Sequence, residues 1–184
     1  MAIAVAVPFT LTTMVGRRKL SAVSAPSQSG AAQQELKAFL SGKAISLKEV
    51  GDGVFSEGIM GDGLAIVPTD EVLRAPADAE VAVLMEDSRH ACGLKLAGNV
   101  EILLHIGIDT VDMAGDGFTY LVSPGQQVKA GDALIRFDRE KIRQAGHPDT
   151  TVCVVTEEGE AAGSILYHTG MDVKAGESVV AAWR

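Results

Sequence analysis

His90-Ala-Cys-Gly-Leu-Lys-Leu-Ala-Gly-Asn-Val-Glu-Ile-Leu-Leu-His105 is two short apolar runs joined across a Gly-Asn turn signal, with a histidine at each end. Apolar runs of this length around such a turn read as a β-hairpin. A turn centred on Ala97-Gly98 sets His90 directly opposite His105, with Cβ atoms about 4.5–5.5 Å apart. A turn centred on Gly98-Asn99 makes them diagonal neighbours at about 7–8 Å, still within reach of two imidazoles. Strand alternation then places His90, Cys92, Leu94, Leu103 and His105 on one face, and Ile102, Leu104, Ile106 and Ile108 on the other. Two imidazoles among apolar neighbours resist double protonation, through desolvation and like-charge repulsion. A neutral ring is a nucleophile, and its companion can donate a hydrogen bond to an arriving anion.

On either side of this hairpin the same pattern repeats. Short apolar runs predict strands at 63–67, 80–85, 90–96, 100–108, 118–122, 133–137, 151–155, 163–167 and 178–183. Gly-Asp-Gly at 61–63, Gly115-Asp-Gly117, Pro124-Gly125 and Gly131-Asp132 punctuate them. Many short strands at such spacing predict an all-β domain, an antiparallel sandwich or barrel-like fold with one or two short helices. One helix is expected over 139–145, capped by Asp138, ended by Gly146 and blocked by Pro148. Val128-Lys-Ala-Gly-Asp returns as Val173-Lys-Ala-Gly-Glu. That echo reads either as a duplicated hairpin unit or as a good turn used twice.

The 184 residues are 47% hydrophobic and 22% charged, enough for one core with an appendage. The net charge of −8 and the lack of a basic stripe exclude nucleic acid as a partner, and an acidic surface suits a basic protein instead. Cys92 and Cys153 have no metal-ligand spacing and read as reduced core residues. Residues 1–20 form an apolar leader, closed by Arg17-Arg-Lys19. It is too short to span a bilayer alone, and its charges follow the apolar run, unlike a secretory signal. It reads as the end of a membrane helix with everything downstream cytoplasmic, or as a leader without that role. Residues 21–35 are small and polar, a flexible linker, and the folded domain is expected over 36–184.

Taken by themselves, the residues leave several readings of the histidine pair open: two unrelated core histidines, a zinc site recruiting Cys92, or nucleophilic and acid–base chemistry. A resemblance bears on the choice. Leu103-Leu-His-Ile-Gly-Ile-Asp-Thr-Val111, with a histidine upstream at His90, resembles the glucose-type enzyme IIA domain of the bacterial phosphoenolpyruvate-dependent sugar phosphotransferase system. So do Phe55, Met60-Gly-Asp-Gly63, Ile66-Val-Pro-Thr69, Ala75-Pro76, Gly115-Asp-Gly-Phe118, Gly125-Gln-Gln-Val-Lys-Ala-Gly-Asp132 and Ile135-Arg-Phe-Asp138.

The resemblance implies that His105 takes phosphate on Nε2 from the phosphocarrier protein HPr and passes it to a cysteine of a IIB domain, without cofactor or metal. It implies that His90 contacts the phosphoryl group, that Ser88 orients His90 by a hydrogen bond, and that Asp109 lies close by. Val54, Phe55 and Met85 become an apolar rim for partners. Residues 2–20 resemble the end of the last membrane helix of β-glucoside-type permeases, which implies a domain tethered at the cytoplasmic face of the inner membrane. A stand-alone cytoplasmic domain is the alternative. There are departures: one extra residue between Pro76 and His90, Cys92 in place of a larger apolar residue, and Val111-Asp-Met-Ala114 at the rim. Rival functions are poorly served. A zinc hydrolase on an all-β scaffold needs H-x-x-x-D and H-x-H elements; His105-Ile-Gly-Ile-Asp109 matches the first, but none of His90, His105, His147 and His168 forms the second, and a lipoyl-type carrier needs a D-K-A or M-K-M lysine, which the chain lacks. A regulatory binding protein on the same fold remains open.

Overall fold

The structure, a computed structural model, describes residues 33–184. The leader expected over 1–20, and the linker up to residue 32, lie outside the described residues. In chain order the first strands are β1 (Gln34–Lys37), β2 (Gly42–Ser46), β3 (Asp62–Pro68), β4 (Val72–Arg74), β5 (Ala79–Leu84), β6 (Ala91–Leu96) and β7 (Glu101–His105). They are followed by β8 (Phe118–Tyr120), β9 (Gln127–Val128), β10 (Ala133–Phe137), β11 (Thr151–Glu157), β12 (Leu166–Tyr167), β13 (Met171–Val173) and β14 (Val179–Trp183). A large sheet runs β13-β2-β3-β11-β7-β6-β5-β9, and two three-stranded sheets, β4-β10-β8 and β1-β14-β12, complete an antiparallel sandwich.

Alternation explains what each face of the large sheet buries. On β11, Cys153 and Val155 enter the main core with Leu64, Leu94, Ile102, Leu104, Phe118 and Phe137. Val152 and Val154 point the other way, into a smaller cluster with Ile45, Leu47, Phe55, Ala65 and Ile108. A strand covered on both faces reads as an unbroken apolar run, as Thr151–Val155 does. The helix α1 (Arg139–Gln144) forms where its cap requires: the Asp138 carboxylate accepts from the Lys141 N–H at 3.0 Å.

The echo of Val-Lys-Ala-Gly is a structural duplication. Val173 of β13 pairs with Gly42 of β2, and Val128 of β9 pairs with Ala79 of β5. The Gly176 N–H then donates to the Ala38 carbonyl, and the Gly131 N–H to the Ala75 carbonyl, each at 2.8 Å. In both copies the chain proceeds into a strand (β14 or β10) that pairs with the strand preceding that alanine (β1 or β4).

Five strands were not anticipated from the sequence: β1, β2, β4, β9 and β13. They are short, and in β1, β9 and β13 the exposed positions are polar or lie at an edge, so no apolar period marks them. β1 also starts inside the segment expected to be linker, with Gln34 paired to Trp183. The strand expected over 163–167 is reduced to Leu166–Tyr167, because Gly163 is left-handed at φ 70° and Ser164 closes a turn on Ala161.

The hairpin itself turns through Ala97–Asn99, with both Gly98 (φ 71°) and Asn99 (φ 56°) left-handed. Gly159 (φ 49°) packs on this turn so tightly that a Cβ there would collide with the Gly98 and Asn99 carbonyl groups. Gly159→Ala should therefore destabilise the fold by about 1–3 kcal/mol, combining strain with collision. Urea unfolding checks this, and a change below about 0.5 kcal/mol, ordinary for a surface substitution, contradicts it.

Candidate active site

The three-residue turn displaces the hairpin by one residue from either expected register. Ala91, not His90, stands opposite His105, and Cys92 stands opposite Leu104. A one-residue slip transfers side chains to the other face. Cys92 and Leu94 accordingly join Ile102, Leu104 and Ile106 in the main core, whereas Leu103 packs with the smaller cluster and His105 pairs across the ladder with Val152. The expected grouping of His90, Cys92 and Leu94 with His105 on one strand face is thus corrected.

The histidines meet nonetheless. His90 lies just before the start of β6, in a bend after the left-handed Arg89 (φ 53°), so strand alternation does not dictate its direction. Its carbonyl still accepts from the Ile106 N–H at 2.8 Å, which ties the bend to the end of β7. The two rings are 4.4 Å apart between centroids and inclined at 78°. Phe55 sets its edge against His105 at 5.1 Å, and Phe118 flanks His90 at 6.5 Å.

One polar contact fixes the chemistry of His105. Nδ1 lies 2.8 Å from the Gly107 carbonyl oxygen. A carbonyl can only accept, so Nδ1 carries the proton and the neutral ring presents its lone pair at Nε2. The chain must double back sharply to aim that carbonyl. Gly107 is left-handed (φ 73°), and a Cβ there would collide with the Thr110 methyl and stand 3.0 Å from the Pro148 oxygen. The buried Thr110 hydroxyl donates to the Ile106 carbonyl, and the Ile108 N–H to the Pro148 carbonyl at 3.0 Å. Asp149, next along, is held by Arg139 at 2.9 Å and Arg143 at 3.1 Å.

Burial, then the neighbouring His90, lowers the pKa of His105 to about 4, against opposing pulls from the Gly107 carbonyl, Asp109 and Asp52. His90 is lowered too, by burial, with the Ser88 backbone opposing. Both rings are therefore biased to the neutral form. His90 is 6% exposed and its Nδ1 has no hydrogen-bond partner among the described residues. Among the described residues the Ser88 side chain makes no hydrogen bond to His90, contrary to expectation; Ser88 is buried beside it, and its backbone is what acts on the ring. Asp109 is exposed and left-handed (φ 58°), leading the 3₁₀ turn Thr110–Met113, and reaches His105 only through its charge.

Of the expected rim, Phe55 is buried against His105, while Val54 and Met85 are exposed. The residue that seats Phe55 was missed. The Asp52 carboxylate accepts from the backbone N–H groups of Phe55 (3.1 Å) and Ser56 (3.0 Å), fixing the loop that covers the smaller cluster. An aspartate three and four residues ahead of the donors it satisfies is a turn signal visible in Asp52-Gly-Val-Phe-Ser56. Gly107, which works through its carbonyl, offers no such side-chain signal. Cys92 cannot join the histidines as a ligand, since it faces the core, where burial pushes its thiol up to about 12. Among the described residues, no group of three or more His, Cys, Asp or Glu side chains is placed to hold a metal ion.

The family model for the phosphoenolpyruvate-dependent sugar phosphotransferase system, EIIA 1, matches residues 34–161. A glucose-specific EIIA component of the same system from Bacillus anthracis is 42% identical over 148 residues, covering 80% of this chain and 88% of that protein. A mannose-specific EIIBCA component from Corynebacterium glutamicum is 51% identical over 117 residues, 64% of this chain but 17% of that much longer protein. Among solved structures, the glucose permease IIA from Mycoplasma capricolum superposes with a TM-score of 0.75 at 33% identity, covering 82% of this chain and 95% of that one.

The lowered His105 value has a consequence for stability. Between the ordinary histidine value of 6.5 and about 4, the unfolded chain binds a proton that the folded ring refuses. Stability contributed by neutral His105 is therefore complete above that window and lost as pH falls through it. A ring titration by NMR should give a midpoint near 4. A midpoint near 6.5, the unperturbed value, contradicts the geometry.

Proposed function

The chain belongs to the EIIA 1 family of the phosphoenolpyruvate-dependent sugar phosphotransferase system, and from that premise we propose that His105 is the residue that carries phosphate. As a member of this family the chain is a phosphotransferase, the phosphoryl-transfer component of sugar uptake. The observation that carries the assignment is the imidazole pair 4.4 Å apart, with Nδ1 of His105 committed to the Gly107 carbonyl.

In the proposed relay the Nε2 lone pair of His105 attacks the phosphorus of a phosphohistidine on HPr. As the new N–P bond forms, the donor's N–P bond breaks and its electron pair returns to the donor imidazole. A cysteine thiolate of a IIB domain then attacks the same phosphorus in line, and the N–P electrons return to His105. Positioning and charge stabilisation supply most of the catalysis in such transfers. His90 donates from its ring to the phosphoryl oxygens, and the apolar walls of Phe55 and Phe118 hold water away.

The surroundings suit a basic partner. The segments that carry the site residues expose carboxylates, Glu57 after Phe55, Glu86 and Asp87 before His90, and Asp109 and Asp112 after His105, together with Val54, Ile59, Met60, Met85 and Val111. An apolar centre with charged surroundings fits a transient protein interface whose opposite charge speeds encounter. The EIIBCA names of the Corynebacterium relatives support a IIB partner, on the same or a separate chain. Attachment to a permease would place the domain at the cytoplasmic face of the inner membrane. Among the described residues no helix is long and apolar enough to cross a bilayer.

Incubation with phosphoenolpyruvate, enzyme I and HPr should put one acid-labile, base-stable phosphate on each chain, and none on His105→Ala. His90→Ala should accept phosphate more slowly and pass it to a IIB domain poorly. Label surviving in His105→Ala sinks the assignment.

A further inference from the structure

Nothing in the strand pairing holds the His90 ring at its angle, because His90 lies outside β6, and among the described residues its Nδ1 has no side-chain or backbone hydrogen-bond partner. Besides the Ile106 hydrogen bond to the His90 carbonyl, the segment from Met85 to Ala91 is held from the other sheet. The Tyr120 hydroxyl accepts from the Met85 N–H at 2.8 Å and donates to the Ala91 carbonyl at 2.7 Å. It therefore clasps the loop at both ends, one of them the residue following His90. The Met85 carbonyl, 3.2 Å away, is a longer alternative acceptor for the same proton, and it already accepts from the Arg89 N–H at 2.7 Å.

The clasp is anchored and the loop is stacked on its base. Tyr120 ends β8, opposite Ile135 of β10, and packs against the main core. Burial pushes its hydroxyl up to about 12, so it keeps the proton it donates. Further along, the Asp87 carbonyl lies only 2.9 Å from where a Cβ on Gly115 would stand. The loop thus rests on the turn leading into β8 and is fastened by the last residue of that strand. It carries Ser88, Arg89 and His90.

We infer that Tyr120 is a positioning residue, whose hydroxyl holds the Met85–Ala91 loop and so sets the His90 ring against His105. The inference rests on the proposed role of His90 in passing phosphate. Loss of the hydroxyl frees a backbone donor and acceptor at once, and small displacements of a group that orients a transferring phosphate carry large kinetic costs.

Tyr120→Phe keeps the packed ring and removes only the clasp. Thermal unfolding should shift by no more than a few degrees. Transfer from phospho-His105 to a IIB domain should fall about 10- to 100-fold, more than acceptance from HPr falls. The His90 ring resonances should shift in the unphosphorylated protein, while the His105 Nδ1 proton stays hydrogen-bonded. Unchanged His90 resonances, or transfer at the wild-type rate, overturns the inference. Failure of the wild-type chain to label at all would sink the phosphate relay itself, and the ring resonances would still decide whether Tyr120 positions His90.

Discussion

The hydrogen bond from Nδ1 of His105 to the Gly107 carbonyl is the constraint on which the site depends. It removes one nitrogen from chemistry and exposes the other, without needing a carboxylate to do so. A carboxylate there would also favour the charged ring, whereas a carbonyl orients it with a weaker pull toward protonation. Burial and the neighbouring His90 outweigh that pull, leaving a neutral nucleophile in an apolar setting. The contact exists because the chain turns back directly after β7, through a left-handed glycine that Thr110 and Pro148 leave no room to enlarge.

The sandwich supplies the rigidity this needs. His105 is the last residue of a strand paired on both sides, to Ala91 and to Val152, so its backbone is fixed in the interior of the large sheet. Its companion is fixed differently. His90 sits just before the start of β6, joined to β7 by one backbone hydrogen bond and steadied by contacts from residues that belong to the second sheet. One histidine is thus set by ladder geometry and the other by a loop, which separates the proposed phosphate carrier from its proposed companion.

The sequence carried the fold class and the identity of the pair, and the reasons are local. Runs such as Thr151–Val155 and Ala133–Phe137 have both the apolar content and the turn boundaries that specify strands, and Asp138 with Gly146 brackets the helix. Strands such as Gln127–Val128 and Gln34–Lys37 exist because tertiary pairing overrides weak propensity, so no local signal marks them. The hairpin register escaped because Asn99 adopts a left-handed conformation beside Gly98, lengthening the turn by one residue; two-residue and three-residue turns share the same Gly-Asn signature. That slip moved Cys92 and Leu94 to the core, while His90 kept its place near His105 only because the strand begins after it, at Ala91. Gly107 acts through its own carbonyl and Tyr120 on the backbone of a distant loop, neither of which a local side-chain pattern reveals, whereas Asp52 leaves a turn signal in Asp52-Gly-Val-Phe-Ser56.

The nitrogen that bears the phosphate is the most direct test of this account. Two-dimensional ¹H–¹⁵N NMR of the phosphorylated, ¹⁵N-labelled chain distinguishes the two ring positions of His105. Phosphorus on Nε2, with Nδ1 still protonated and hydrogen-bonded, is the result that follows from the Gly107 contact. Phosphorus on Nδ1 would mean that this contact does not set the reacting atom, and the account would fail with it.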